Sequence, residues 1–435
     1  MTWSNEPLER LIDTLESGSR PTGGASTDSG EVFSIGGENI LQSGGVTLEA
    51  VKRVPVAFFK RMTKGHLRGD DVLINKDGAQ TGKVGWYHTG RDLVACINEH
   101  VFLLRGEPDR ITQGYLYYSL LSDSGQAQIR LQISGSAQPG LKAGFTKGIT
   151  VEFPTDIREQ SMIVRVLSTV DRAIEQTEAL IAKQQRIKTG LMQDLLTRGI
   201  DKHGNLRSEQ THKFKDSPLG RIPMEWDIAS LGSVAEFVTS GSRGWAKYYR
   251  EDGALFIRIG NLTREHINLR LDDLVFVQPP GSAEALRTAV QAGDLLISVT
   301  ADLGIIGVIP KGFVEGYVNQ HIALARLFSA DVSARFVGWF LSSREGMAQF
   351  DRLNESGAKA GLNLPTVRSL LFPRPGDVDE QHRIAAAIDA CVRTADQHAC
   401  SLQKLRALKR GLMQDLLTGN RRVTALLEES EGVTT

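Results

Sequence analysis

The chain has little cysteine: three thiols, Cys96, Cys391 and Cys400, in 435 residues and with no paired spacing. That excludes a disulfide scaffold and a cysteine zinc site, and favours reduced thiols in a cytoplasmic protein. No apolar run approaches the roughly 20 residues that a membrane helix needs. The first residues, with Glu6, Glu9 and Asp13, do not read as a secretory signal. Excess charge is missing too, since 51 Lys and Arg balance 51 Asp and Glu. Neutrality leaves room for a nucleic-acid binder only if its cations are gathered on one face. Motifs of catalysis are also lacking. Residues 135–142 read GSAQPGLK, with Leu141 where a phosphate loop requires Lys, and residues 78–84 read GAQTGKV, one residue short and without the hydroxyl that reaches magnesium. There is no HExxH, no nucleophile elbow and no Asn-Pro-Pro-aromatic methyltransferase motif. His382 and His398 read as surface or seam histidines rather than ligands. Neither a catalytic residue nor a metal or cofactor site can be assigned in this chain.

What the chain does have is a repeat. Residues 157–197 recur as 378–418, both ending in GLMQDLLT, at 190–197 and 411–418. The register of 221 residues holds back to Glu159-Gln160, which recurs as Glu380-Gln381. Such internal repeats organise everything else. Asp156 with Glu159, and Asp377 with Glu380, have capping-box spacing. Gly199 and Gly419 stand where a left-handed residue ends a helix at least cost. Between these limits apolar or small residues recur in alternating steps of four and three. They are Ile163, Leu167, Val170, Ile174, Ile181, Leu191 and Leu195, then Ile384, Ile388, Cys391, Ala395, Leu402, Leu405, Leu412 and Leu416. Each copy is thus an amphipathic helix with a seam for another helix. Roughly 40 residues at about 1.5 Å each make a rod on the order of 60 Å. A rod of that length is expected between domains, paired with its copy in an antiparallel coiled coil about a pseudo-two-fold axis.

The rest of the chain repeats more loosely. The first domain opens with Leu8, Leu11, Ile12 and Leu15, a spacing that predicts a helix, and then reads Ser17-Gly18-Ser19-Arg20. The second has Ser240-Gly241-Ser242-Arg243, and Trp3 answers Trp226. Strands are expected at 32–35, 72–75, 84–87 and 101–104, with counterparts at 255–259, 295–299, 305–309 and 322–327. Asn39 matches Asn261, Gly69-Asp70 matches Gly293-Asp294, Asn98-Glu99-His100 matches Asn319-Gln320-His321, and Gly135 matches Gly357. The fold class is therefore α+β, with two similar domains separated by two long helices. The expected boundaries are 1–155, helix 156–199, connector 200–222, 223–376, helix 377–419, and a polar, disordered tail 420–435. The domains diverge more than the helices, so the helices keep one job while the domains do related, different ones.

Two readings are open for each Gly-Ser-Arg loop: amides beside a guanidinium for a phosphate or base edge, or a plain turn with a solvated Arg. Residues 50–69 hold Lys52, Arg53, Lys60, Arg61, Lys64 and Arg68 with Phe58 and Phe59 and no acid. This stretch either tracks a phosphate backbone or is a solvated loop over a core Phe pair. The second domain spreads its cations, with Arg243, Lys247 and Arg250 beside Trp245, Tyr248 and Tyr249, and Lys359 in a Gly-rich loop.

The segment SPLGRIPMEW at 217–226, the GLMQDLLT helix ends, the Glu-Gln helix starts and the order domain, helix, domain, helix resemble the specificity subunit of type I restriction-modification systems. The first domain departs from the pattern in keeping only Trp3 of the Gly-x-Ile-Pro-x-x-Trp opening. The resemblance implies two target recognition domains, each reading one half of a bipartite, asymmetric double-stranded DNA site, with the helices as spacer. It implies two docked methyltransferase subunits and separate restriction and translocase subunits as partners. S-adenosylmethionine, ATP and magnesium are then expected in those partners and no cofactor in this chain. Candidate DNA-contacting residues are Arg20, Lys60, Arg61, Lys76, Lys83 and Gln138 in the first domain and Arg243, Lys247, Tyr248 and Lys359 in the second. The methyltransferase interface is expected at Leu191, Met192, Leu195, Leu412, Met413 and Leu416. A duplicated binding module for RNA or protein, or an enzyme with a nuclease site in a loop, are the rival classes.

Overall fold

The computed structural model describes residues 2–88, 93–135, 139–300, 302–328, 330–355 and 361–432. The chain forms two units, Met1–Thr177 with Ser401–Thr435, and Glu178–Cys400. Strands of the first unit are, in chain order, β1 (Trp3–Pro7), β2 (Ile12–Ser17), β3 (Val32–Ile35), β4 (Lys52–Val54), β5 (Asp71–Asn75), β6 (Val84–Tyr87), β7 (Ala95–Ile97), β8 (Val101–Gly106) and β9 (Thr150–Pro154). They make a four-stranded sheet ordered β2-β8-β5-β6, a three-stranded sheet β4-β3-β7 and the pair β1-β9. Every residue of β5 is buried, because both faces of its sheet are covered. Val72 and Ile74 pack with Tyr115, Leu116 and Ile163 on one side. Leu73 points the other way, to Ile35, Ile97 and Leu103. Two faces and a period of two turn the strand into a continuous apolar run.

The second unit repeats this plan. A hairpin, β10 (Phe214–Ser217) and β11 (Gly220–Pro223), is followed by β12 (Trp226–Ser230), β13 (Ala235–Ser240), β14 (Tyr249–Arg250), β15 (Ala254–Ile257), β16 (Phe276–Val277), β17 (Leu295–Ser298), β18 (Ile306–Val308), β19 (Gly316–Val318), β20 (Ile322–Leu327) and β21 (Leu371–Pro375). The sheet β13-β20-β17-β18 reproduces β2-β8-β5-β6, and β14-β16-β15-β19 stands where β4-β3-β7 stood. In the small sheets β3 runs parallel to β7 and β15 parallel to β19, with Ser34 opposite Cys96 and Phe256 opposite Tyr317.

The helix expected at the N-terminus is not formed. Residues 3–7 and 12–17 are strands flanking a single 3-10 turn, Leu8–Arg10. Leu8 and Leu11 are indeed buried, but β1 and β2 gain antiparallel partners in β9 and β8. Pro7 starts the break, and ladder hydrogen bonds to distant strands outweigh a short local spacing. One repeat match also shifts: the buried acid answering Asp294 is Asp71 rather than Asp70. Asp70 instead takes the left-handed φ of 72° that Gly293 takes at 89°.

The long helices run over Ile157–Thr197 and Val378–Leu417. Each unit contains a half of each, and within both units the halves run antiparallel. In the first, Ile163 and Leu167 pack with Met413, Leu416 and Leu417, and Lys409 Nζ lies 2.6 Å from Asp171. In the second, Leu195 and Leu196 pack with Ile384, Ile388 and Val392, and Cys391 Sγ meets the Gln184 carbonyl at 3.5 Å. The repeated GLMQDLLT ends are alike because each enters its unit's core.

The helix starts are half as expected. Asp156 accepts from the Arg158 amide at 2.8 Å and Asp377 from the Asp379 amide at 2.9 Å, but neither Glu closes a capping box. Glu159 is buried against Arg422, which donates to both of its oxygens. Glu380 is buried against Arg207 in the same way and also accepts from the Ile200 amide. Gln160 accepts from Thr112 N and donates to the carbonyls of Pro154 and Arg110. Gln381 does the same with Ser333, Pro375 and Asp331. The repeated Glu-Gln pair is therefore a tertiary clasp that ties each domain to its helix. Arg207 lies in the connector and Arg422 in the tail, so both segments hold a helix start, and the tail is not disordered as expected. The tail continues as a helix, Thr424–Gly432, and Val423 is buried.

Gly199 and Gly419 do end the helices in the left-handed region, at φ 65° and 72°. A Cβ on Gly199 would stand 2.2 Å from Trp226 Cζ2, whereas on Gly419 its nearest neighbour is Trp3 at 3.1 Å. Gly199→Ala is expected to cost about 2–4 kcal/mol, backbone strain plus overpacking, and Gly419→Ala about 1–2. Thermal unfolding of both variants checks this, and equal losses would contradict it.

Candidate nucleic-acid interface

In each unit the Gly-Ser-Arg loop is pressed onto the turn that joins the small sheet to the large one. A Cβ on Gly18 would lie 2.0 Å from the Ile97 carbonyl oxygen, and one on Gly241 1.9 Å from that of Asn319. Glycine is required there by backbone approach rather than by φ. The loop carries Arg20 and Arg243 out into solvent.

Arg20 Nη1 sits 3.6 Å from Glu99 Oε1. Lys76 Nζ donates to the Glu99 carbonyl at 3.3 Å and lies 5.5 Å over the Phe102 ring. The fold thus brings Arg20 and Lys76 together. Lys60 and Arg61 close the last turn of the short helix Val56–Arg61, both exposed. The chain leaving that helix touches the Arg20 loop, where the Gly65 amide donates to Glu16 at 2.6 Å.

A buried ion pair fixes that exit. Arg105 bonds Asp71 through two nitrogens, at 2.7 and 2.8 Å, and donates to the His66 carbonyl at 2.9 Å. Arg326 repeats this with Asp294 at 2.8 and 2.7 Å and the Ala289 carbonyl at 3.2 Å. Burial pushes Asp71 up while its carboxylate raises Arg105. Asp71 stays ionised all the same, because Arg105 donates to both of its oxygens and the Arg68 amide donates to one of them at 2.8 Å. Neither arginine was among the sequence candidates; the signal was an Arg at matching places in β8 and β20.

The remaining candidates divide. Lys83 turns to Gln80, and burial lowers its pKa, so it stands apart from the Arg20 cluster. Arg243 and Lys247 are exposed; the Arg243 amide donates to Glu284 at 3.3 Å, and Lys247 Nζ lies 5.0 Å over the Tyr248 ring. Tyr248 is half-buried beside Trp245, at 6.0 Å between centroids, so much of its ring is core. Gln138 and Lys359 lie outside the described residues, as does Gly357. Leu195, Met413 and Leu416 are buried in their own units' cores, which occupies their apolar surface; Leu191, Met192 and Leu412 are half-buried.

Exposed guanidinium and ammonium groups around a glycine loop suit an anionic backbone, and the neighbouring Glu99, His100, Gln320 and His321 supply acceptors and donors. Among the described residues no group of His, Cys, Asp and Glu could hold a metal ion.

Residues 10–184 match the family model described as Type I restriction modification DNA specificity domain. Over these residues the chain is similar to the DNA specificity domain of type I restriction-modification systems. Two Methanocaldococcus jannaschii relatives span both repeats. The type I restriction enzyme MjaVIII specificity subunit is 21% identical over 367 residues, 82% of this chain and 80% of its own. The putative type I restriction enzyme MjaX specificity subunit is 25% identical over 360 residues, 81% and 79%. The fold is shared with the crystal structure of a type I restriction-modification S subunit from M. genitalium, at TM-score 0.63, 16% identity and 96% of both chains. A chain from a structural study of type I complex assembly and conformational transition gives TM-score 0.53, also at 16% identity, over 96% and 98%. The matched residues take in most of the first unit's domain and more than half of the first long helix; the second unit repeats the plan of the first. None of its helices is long and apolar enough to cross a membrane among the described residues.

Proposed function

We propose that this chain is the specificity subunit of a type I restriction-modification complex, that it reads a bipartite, asymmetric double-stranded DNA site, one half-site per unit, and that it positions two methyltransferase subunits and the restriction and translocase subunits on it. One observation carries the reading: the same scaffold is built twice, with a Gly-Ser-Arg loop on the same turn, but with different side chains around it. Different side chains on one scaffold suit two different half-sites. Arg and Lys hold phosphates and set register, while acceptors and donors at the loops select bases. Two short half-sites multiply specificity, since each wrong base pair costs about 1–3 kcal/mol and separated positions add. S-adenosylmethionine, ATP and magnesium belong to the partners, and this chain works in the cytoplasm without chemistry of its own.

The long helices are the elements common to both units, so they set the gap between half-sites. Recognition on one face of the duplex repeats about every 10 base pairs. Inserting one heptad into each helix adds about 10 Å at roughly 1.5 Å per residue. That is about 3 base pairs at 3.4 Å each. DNA selected by the lengthened chain is expected to keep both half-sites and widen the gap; an unchanged gap would refute the spacer role.

A further inference from the structure

The turn beneath each Gly-Ser-Arg loop has one frame and one variable side chain. Asn98 Oδ1 accepts from the His100 amide at 2.9 Å, and Asn319 Oδ1 from the His321 amide at 3.1 Å. Ser17 Oγ and Lys76 Nζ both donate to the Glu99 carbonyl, at 3.4 and 3.3 Å. The flanking Asn and His are the same in both copies, and the residue between them is Glu99 in one and Gln320 in the other. A rigidly held backbone that presents a single position of changed chemistry is what discrimination between two bases requires.

We infer that Glu99 and Gln320 are base-reading residues, one for each half-site; this rests on the DNA-reading function proposed above. A carboxylate only accepts hydrogen bonds, which matches the exocyclic amine of cytosine. A carboxamide donates and accepts, which matches the N6 and N7 edge of adenine. Both side chains keep a free end. Arg20 Nη1 at 3.6 Å and His100 Nε2 at 3.4 Å meet the same oxygen, Glu99 Oε1. Oε2 is left without a partner among the described residues. Gln320 Nε2 lies 3.1 Å from His321 Nε2, which leaves its oxygen open in the same sense. Both residues are half-buried, so their rotamers are restrained while their ends reach solvent. His100 is steadied in turn by Asp77 at 2.6 Å. Arg20, paired loosely to Glu99 and fully able to reach outward, supplies the adjacent phosphate contact.

Glu99→Gln and Gln320→Glu are close to isosteric and leave the turn's backbone bonds intact. The test selects bound DNA from a random duplex pool with the full chain and with each variant. Glu99→Gln is expected to keep the gap and one entire half-site, and to shift the preferred base at a single position of the other by about ten- to a hundredfold. Gln320→Glu is expected to do so in the opposite half. The same sequences selected by all three chains, or changes spread over several positions of both halves, would overturn the inference. Failure of the underlying reading looks different, because the unaltered chain would then select no motif at all.

Discussion

Arg207→Ala is expected to destabilise the second unit by about 3–5 kcal/mol, because it strands the buried Glu380 carboxylate. The pair is closed to water, with side-chain exposures of 7% and 5%. Arg207 also reaches Glu225 at 2.7 Å, and its position gives the connector its place against the helix start. At roughly 2–4 °C per kcal/mol for a unit of this size, the transition should fall on the order of 10 °C. Arg207→Ala combined with Glu380→Gln is expected to recover part of that loss, since no unpaired charge stays buried. Arg422→Ala should cost less, because Arg422 is 31% exposed and water can replace it beside Glu159. Thermal unfolding of the three variants checks the order, and an Arg207→Ala transition within a degree or two of the parent would contradict the clasp.

Reversing Arg20, Lys60 and Arg61 together to Glu is expected to weaken DNA binding by at least tenfold at low salt. The dependence of log affinity on log salt should become shallower by about 3, close to 0.9 for each phosphate that is no longer neutralised. The three lie on a loop and a helix end that touch each other through the chain after Arg61, and their charges are solvated rather than buried, so folding should be unaffected. Lys83→Glu is the control: its ammonium is turned to Gln80, and its reversal should change binding less. Affinities measured over a salt series decide, and equal slopes for parent and triple variant would place the phosphate track elsewhere.

The long helices were legible because 221-residue periodicity repeats an octapeptide and a seam, and period and repetition survive without tertiary knowledge. β3, β5, β6 and β8 were legible for a related reason, since burial on two faces leaves dense apolar runs. The N-terminal strands were not, because Leu8, Leu11, Ile12 and Leu15 fit a helical period and only pairing with β9 and β8 decides against it. Glu159 and Glu380 show the same limit. Their spacing from Asp156 and Asp377 is that of a capping box, and the arginines that claim them are 263 and 173 residues away. At the candidate site, composition singled out Arg20 and Lys76 separately. Nothing short of the folded turn shows that both converge on Glu99.

The most direct test of the central claim is sequencing of methylated adenines in host DNA after the chain is expressed with a type I methyltransferase subunit. An interrupted, asymmetric motif that disappears when this chain is omitted is the predicted result. A continuous motif, or the same methylation without the chain, would contradict it.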